Sequence, residues 1–139
     1  MAGSFGFTAD LETEFINSNA AFSQAASVYS NGVKTIYVSG QVGIRDGEIP
    51  NSFIEQMDIG FFNMAKQLEG AGASMSDVIK LTGFIVGMNT ERRTVYSEVR
   101  ASYFSAQTTP PASTLIGVSG LVDPNLLVEV EAIAVIKID

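Results

Sequence analysis

The sequence predicts an α+β fold in which two helices pack on one face of a single mixed β-sheet. Segments of alternating apolar and polar residues, which are typical of strands, recur near the beginning, in the middle and at the end of the chain. Two longer segments between them carry apolar residues at helical spacing. The predicted order of elements is therefore ββαβαββ.

A β-hairpin is predicted near the start of the chain. Its strands are expected at residues 22–28 and 34–40, because Asn31-Gly32 between them is a dipeptide that favours a tight hairpin turn. The residues before the hairpin, 1–19, are expected to form a polar lead-in. With 139 residues in total, the chain is predicted to be a single domain, 1–139.

Two helices of about four turns each are predicted from helical periodicity and from end signals. The first begins at a capping box formed by Ser52 and Glu55 and ends at Gly70. The second runs from about Asn89 to Phe104, ahead of a proline pair that blocks its extension. The remaining strands are expected at 78–86, 113–118 and 127–137.

Composition excludes several classes of protein. The chain has no cysteine and no histidine, so a disulfide, a cysteine or histidine metal site, a Ser-His-Asp triad and a histidine-dependent ribonuclease are excluded. A net charge of −7 argues against nucleic acid as a partner. No apolar run is long enough to span a membrane, and no targeting segment is recognised, so a cytoplasmic location is expected. No metal site is expected either.

The predicted strands carry more apolar side chains than two helices on one face can cover. Large exposed apolar patches usually mark interfaces, so the excess predicts association of several chains. The residues concerned are Ile36, Val38, Leu81, Ile116, Val118, Ile133 and Val135.

Two glutamates in the last strand are the first candidates for chemistry. Glu129 and Glu131 lie two residues apart, so their side chains share one face of the sheet. One of them would act as a general acid or base if apolar neighbours raised its pKa. In the alternative interpretation, both pair with cations of neighbouring strands or face solvent.

Two short polar motifs are further candidates. Ser39-Gly40 ends a predicted strand, where a glycine allows a ligand to approach the backbone closely; a bulge or tight bend is an equally good interpretation. Ser113 and Thr114 place two hydroxyl groups at the start of another strand, although no base adjoins them in the sequence.

The order and spacing of these segments resemble the RidA/YjgF family of imine deaminases, also called the L-PSP endoribonuclease family. The resemblance extends from about Ala21 to Lys137. The motifs that carry it are Phe22-Ser23-Gln24-Ala25, Tyr37-Val38-Ser39-Gly40-Gln41, Gly47-Glu48-Ile49-Pro50, Leu68-Glu69-Gly70-Ala71-Gly72, Asp77-Val78-Ile79-Lys80, Phe84-Ile85-Val86, Tyr103-Phe104, Pro111-Ala112-Ser113 and 128–135.

The resemblance implies a chorismate-mutase-like fold and a homotrimer with ligand pockets in the clefts between subunits. It also implies hydrolysis of a reactive enamine or imine, such as 2-aminoacrylate, to a keto acid and ammonia, without a cofactor. Glu129 matches the acid that positions and activates water. The matching substrate-binding positions are Phe22 in place of a tyrosine, Ser39, Gly40, Ser97 roughly in place of an asparagine, Ala112, Ser113, and Thr114 in place of a cysteine.

Ala112 departs from the family pattern, since an arginine that grips a substrate carboxylate belongs at this position. A guanidinium forms two parallel charge-assisted hydrogen bonds to a carboxylate, and alanine forms none. An imine deaminase with an atypical substrate is therefore the first functional hypothesis. The alternative is a trimer that binds or senses a small molecule without turnover. A chaperone-like interaction protein and an endoribonuclease are less favoured.

Overall fold

The structure, a computed structural model, describes residues 11–105 and 109–138. It contains a six-stranded sheet and two α-helices, which confirms the predicted α+β fold with a mixed sheet. The strands are β1 Glu12–Ser18, β2 Ser23–Ser30, β3 Val33–Val42, β4 Val78–Val86, β5 Ala112–Val118 and β6 Val128–Lys137. The helices are α1 Phe53–Gly70 and α2 Thr90–Tyr103, and a short 3₁₀ helix, Met75–Asp77, precedes β4.

The strand order in the sheet is β1-β2-β3-β6-β4-β5. Every neighbouring pair is antiparallel except β4 and β5, which are parallel. The last strand, β6, therefore lies in the middle of the sheet, between β3 and β4. This arrangement brings the paired glutamates of β6 next to the end of β3, where the register shifts between Val38 and Gln41.

The first strand was missed by the sequence prediction, which placed residues 1–19 in a polar lead-in. β1 pairs with β2 at the edge of the sheet, and its side chains are exposed apart from half-buried Ile16. Such a strand shows little hydrophobic alternation, because it is held mainly by backbone hydrogen bonds. One ion pair adds to them, from Lys34 Nζ to Glu14 Oε1 at 2.9 Å.

The helices begin at side-chain caps and cover one face of the sheet. Ser52 Oγ accepts a hydrogen bond from the Glu55 backbone N–H at 3.3 Å, as the predicted cap requires. Asn89 caps α2 in the same way. The core lies between the helices and the sheet and centres on the buried ring of Phe61. Its ring partners are Tyr96, Tyr103 and Phe104, at centroid distances of 6.0, 5.4 and 6.4 Å.

The buried carboxamide of Gln56 ties α1 to the segment before β6. Its Nε2 donates to the carbonyl oxygens of Pro50 and Asn125, both at 2.9 Å, and its Oε1 accepts from the Leu127 N–H at 2.8 Å. These bonds satisfy a polar group that would otherwise be costly to bury. They also hold the start of β6, and hence Glu129, in a defined position.

The other face of the sheet has no helix on it, and we call it the open face. Tyr37 of β3 is 49% exposed, Ile116 of β5 is 40% exposed, and Phe15 of β1 is 63% exposed. Three of the apolar residues predicted to be in excess, Ile36, Val38 and Leu81, are buried under the helices instead. The remaining four alternate onto the open face: Ile116, Val118, Ile133 and Val135.

Candidate functional site

The side chain of Glu129 lies directly over Gly40, across the β3–β6 pair. A Cβ atom added to Gly40 would lie 2.5 Å from Glu129 Cδ and 2.9 Å from Glu129 Cγ, distances too short for real contacts. Residue 40 falls within the register shift between Val38 and Gln41. The predicted strand irregularity at Ser39-Gly40 is thus observed, and the group that approaches the backbone there is the Glu129 carboxyl of the same chain.

A cleft of about 770 Å³ surrounds this carboxyl group. It brings together four of the eight predicted site residues, namely Phe22, Ser39, Gly40 and Glu129. The cleft lies at the end of β3, between the β1–β2 connection and α1. Its remaining lining residues are Asn17, Gln24, Gln41, Val42, Ile44, Asn63, Gln67 and Val122.

Hydrogen bonds hold the wall of the cleft in place. Ser39 Oγ donates to the Ser23 carbonyl oxygen at 2.7 Å. The buried Gln41 side chain donates from Nε2 to Gln24 Oε1 at 2.9 Å and to the Ser39 carbonyl oxygen at 3.0 Å. Because these bonds engage neighbouring strands, the strand end beneath Glu129 is organised before any ligand arrives.

Burial raises the pKa of the Glu129 carboxyl, and the nearby charge of Glu131 raises this pKa further. Both causes disfavour the ionised form of Glu129. Among the described residues, neither glutamate forms a salt bridge, so the interpretation that they pair with cations does not match the structure. Glu131 is exposed, whereas Glu129 is half-buried. Glu129 therefore has a perturbed environment of the kind found at acid–base sites.

The other predicted site residues lie away from this cleft within one chain. Ala112 and Thr114 are exposed on β5, the edge strand at the opposite side of the sheet from β1. Ser113 alternates onto the helix-covered face, where it pairs with Leu81. Ser97 is exposed on α2. A single chain thus assembles four of the eight predicted residues in the cleft and leaves three on the far edge strand β5 and one on α2.

Several lining residues were not singled out from the sequence. Gln24 and Gln41 lie inside the motifs that carry the family resemblance, so their positions in those motifs are a signal that points to them. Asn63 and Gln67 belong to α1, where a polar residue on a helix usually faces solvent. Asn63 Nδ2 instead donates to the carbonyl oxygens of Val42 at 3.0 Å and Ile44 at 3.1 Å.

Among the described residues that line the cleft, Glu129 is the one acid. Across residues 11–105 and 109–138, no group of three or more acidic, histidine or cysteine side chains is arranged to hold a metal ion. In the same part of the chain, no helix is both long and apolar enough to cross a membrane.

Together, the mixed sheet, its two helices on one face and the acid over a glycine in a cleft define a small α+β protein with a candidate acid–base site. Residues 14–136 match the family described as Endoribonuclease L-PSP, and the chain therefore belongs to this family, the RidA/YjgF family.

Two curated relatives and one solved structure illustrate the membership. The 2-iminobutanoate/2-iminopropanoate deaminase of Dermatophagoides farinae is 35% identical over 120 residues, covering 82% of this chain and 90% of that protein. The mouse protein of the same name is 34% identical over 117 residues, covering 80% and 83%. The crystal structure of the Rid-family protein YyfA from Yersinia pestis superposes with a TM-score of 0.76 at 27% identity, covering 90% of this chain and 100% of that one.

Proposed function

We propose that this protein hydrolyses an imine or its enamine tautomer to a carbonyl compound and ammonia, without a cofactor. The observation that carries the proposal is the half-buried Glu129 carboxyl, which has a raised pKa and lies over Gly40 in an open cleft. A carboxyl group whose pKa moves towards neutrality can both accept and return a proton at physiological pH.

The reaction needs one water molecule and one group that moves protons. Glu129 takes a proton from water as the water oxygen attacks the carbon of the C=N bond. Glu129 passes this proton to the nitrogen, and a neutral carbinolamine forms. Glu129 then takes the proton of the carbinolamine hydroxyl group and passes it to the nitrogen, the C–N bond breaks, and ammonia leaves while the hydroxyl oxygen becomes the carbonyl oxygen. The products contain all atoms of the imine and the water.

The relatives support this reaction class, since two of them bear the name 2-iminobutanoate/2-iminopropanoate deaminase at 34–35% identity. The substrate of this chain is proposed to be atypical or differently anchored. Its support is the methyl side chain of Ala112, which offers no hydrogen bond at the position where the family resemblance implies an arginine.

The working unit is proposed to be a homotrimer with clefts between its subunits. The exposed apolar side chains of the open face support association, because covering them with another copy removes apolar surface from water. The separation of Ala112, Ser113 and Thr114, on the edge strand β5, from the cleft around Glu129 supports clefts built from two copies. In such a cleft, the Glu129 side of one copy meets the β5 edge of the next.

The proposed activity is tested by ammonia release from 2-iminobutanoate generated in situ, measured above spontaneous hydrolysis. The wild-type protein should accelerate release, and Glu129→Gln should lower the rate by about 100-fold or more. The control, Glu131→Gln, should keep activity and shift its pH profile to lower pH, because one cause of the raised pKa of Glu129 is removed. Equal rates for wild type and Glu129→Gln would exclude the proposed mechanism.

A second candidate is a trimer that binds a small molecule without turnover. The specific observation in its favour is Phe22, which is 52% exposed at the cleft and replaces the implied tyrosine by a side chain without a hydroxyl group. This candidate predicts that keto acids raise the melting temperature of the wild-type protein while no imine tested releases ammonia faster than in buffer.

A further inference from the structure

Lys80 occupies an unusual position on the open face of the sheet. Its strand, β4, pairs it with Ala112 of β5 on one side and with Ile133 of β6 on the other. Its Nζ donates a hydrogen bond to Thr114 Oγ1 at 2.6 Å. Lys80 is therefore the strand neighbour of Ala112. Ala112 is the position at which the family resemblance implies the guanidinium group of an arginine.

The partner of this ammonium group is a neutral hydroxyl. Among the described residues, the salt bridge observed is between Lys34 and Glu14, and no carboxylate lies within 4.0 Å of Lys80. An ammonium group has three protons to donate, so a single hydroxyl leaves it able to bind an anion. If a second copy covers the open face, burial removes the Lys80 ammonium group from water, which is costly while the charge is unpaired. An anionic ligand bound to the ammonium group would offset that cost.

Within one chain, Glu129 and the Thr114 hydroxyl that binds this ammonium group lie on strands that are not neighbours. Because β4 lies between β5 and β6, Thr114 and Glu129 are two strand spacings apart across the sheet. Thr114 is level with Glu131, so Glu129 is also displaced from it by two residues along the strand direction. With about 4.8 Å between strands and about 3.3 Å per residue, their Cα atoms are roughly 12 Å apart. The Glu129 side chain also leans the other way, towards Gly40 of β3.

We propose that Lys80 and Thr114 of one copy form the anion subsite of the cleft that contains Glu129 of the next copy. This inference rests on the proposed function, and it specifies the substrate as a small imine that carries a carboxylate. Lys80 binds the carboxylate by charge, and the Thr114 hydroxyl, which accepts from Lys80, keeps its own proton to donate to the same carboxylate. The neighbouring methyl group of Ala112 leaves room for the ligand.

The test compares binding of 2-oxobutanoate with binding of its uncharged methyl ester by isothermal titration calorimetry. Lys80→Met should weaken 2-oxobutanoate binding by about 10- to 100-fold and leave ester binding unchanged, because one charge-assisted hydrogen bond is lost. Lys137→Met is the matched control. Lys137 lies on the same face of β6 as Glu129 but eight residues further along that strand, and its loss should change neither affinity.

Two further variants sharpen the test. Lys80→Arg should retain 2-oxobutanoate binding within a few-fold, since the positive charge remains. Lys80→Met combined with Ala112→Arg should recover the lost affinity, because residue 112 is the direct strand neighbour of residue 80. Recovery by a cation at this second position identifies the subsite rather than a general effect on folding.

Three outcomes overturn the inference: no 2-oxobutanoate binding by the wild-type protein, equal affinities in Lys80→Met and Lys137→Met, or equal loss of acid and ester binding in Lys80→Met together with loss of the oligomer. The last would show that Lys80 pairs with a carboxylate of another copy. The proposed function is tested separately. Wild-type protein that binds the keto acid through Lys80 but releases no ammonia contradicts the reaction and leaves the subsite standing.

Discussion

The carboxyl group of Glu129 occupies the space in which a side chain at residue 40 would begin. An added Cβ at Gly40 would overlap the carboxylate and lie 2.5 Å from Glu129 Cδ. The irregular pairing of β3 with β6 between Val38 and Gln41 creates this approach. A backbone without a side chain therefore leaves the space that the proposed proton carrier occupies.

The first prediction concerns Gly40→Ala. Because Glu129 is flexible at its far end, the new methyl group should displace the carboxyl rather than disrupt the fold. Ammonia release should fall by about 10-fold or more, by analogy with the cost of misplacing a reacting group, while the melting temperature changes little. Gly120→Ala is the control, because an added Cβ there meets no atom within 4 Å. Unchanged activity in Gly40→Ala would show that the observed Glu129 position is not required.

The second prediction concerns stability and pH. Glu129→Gln should raise the melting temperature by about 1–3 °C at pH 7 and change it less at pH 4. Burial and Glu131 raise the pKa of Glu129 in the folded protein. The stability contributed by its protonated carboxyl is therefore fully present below the pKa of the unfolded chain and is lost as the pH rises through the raised folded-state pKa. The amide that replaces the carboxyl in Glu129→Gln does not ionise, so the variant does not lose this stability as the pH rises.

The measurement is thermal unfolding across the two pH values, with Glu98→Gln as the control. Glu98 is an exposed glutamate of α2, on the helix side of the sheet, so its substitution removes a charge without entering the cleft. A larger loss of stability in Glu129→Gln at pH 7 than at pH 4 would mean that the ionised carboxylate has a favourable partner in the assembled protein.

The third prediction concerns association through the open face. Tyr37→Glu should convert the proposed trimer to single chains in light scattering coupled to gel filtration, because an unpaired carboxylate is costly to bury between copies. Tyr37 is 49% exposed in the single chain. Ile54→Glu is matched to it in exposure, at 52%, but lies on α1, and it should leave the molecular mass unchanged. A trimer that survives Tyr37→Glu would place the contact elsewhere.

The fourth prediction concerns the composition of the cleft. Glu129→Gln and Lys80→Met chains, each weakly active alone, should regain activity when they are unfolded and refolded together. A cleft is intact when its Glu129 comes from the Lys80→Met chain and its Lys80 comes from the Glu129→Gln chain. Random mixing in closed symmetric trimers should give about one quarter intact clefts. Ammonia release should approach that fraction of the wild-type rate. No recovery would mean that both groups act from the same chain.

Much of the fold could be predicted from the sequence, because the signals concerned are local. Ser52 caps α1 through its own side chain, and helical spacing places Phe61 and Met64 in the core whatever lies around them. The edge strand β1 could not be found in this way. Its seven residues are largely exposed, so pairing with β2 rather than burial defines it.

The candidate site shows the same division. The spacing of Glu129 and Glu131 predicted a shared face, and the structure confirms it, since both alternate away from the buried side of β6. Spacing could not predict that the irregular strand at Gly40 also receives the Glu129 carboxyl. This contact joins residues 89 positions apart, and no local pattern records such a distance.

By itself, the sequence determined the strands and helices with strong periodicity, because these signals come from residues close together along the chain. It also determined the family, because the order and spacing of the motifs can be read directly from the sequence. Tertiary structure alone decided that β6 lies at the centre of the sheet, that Glu129 rests over Gly40, and that Lys80 stands beside Ala112 with Thr114 as its partner. These relationships arise where strands distant in sequence pair side by side, and their register depends on the packing of the whole sheet.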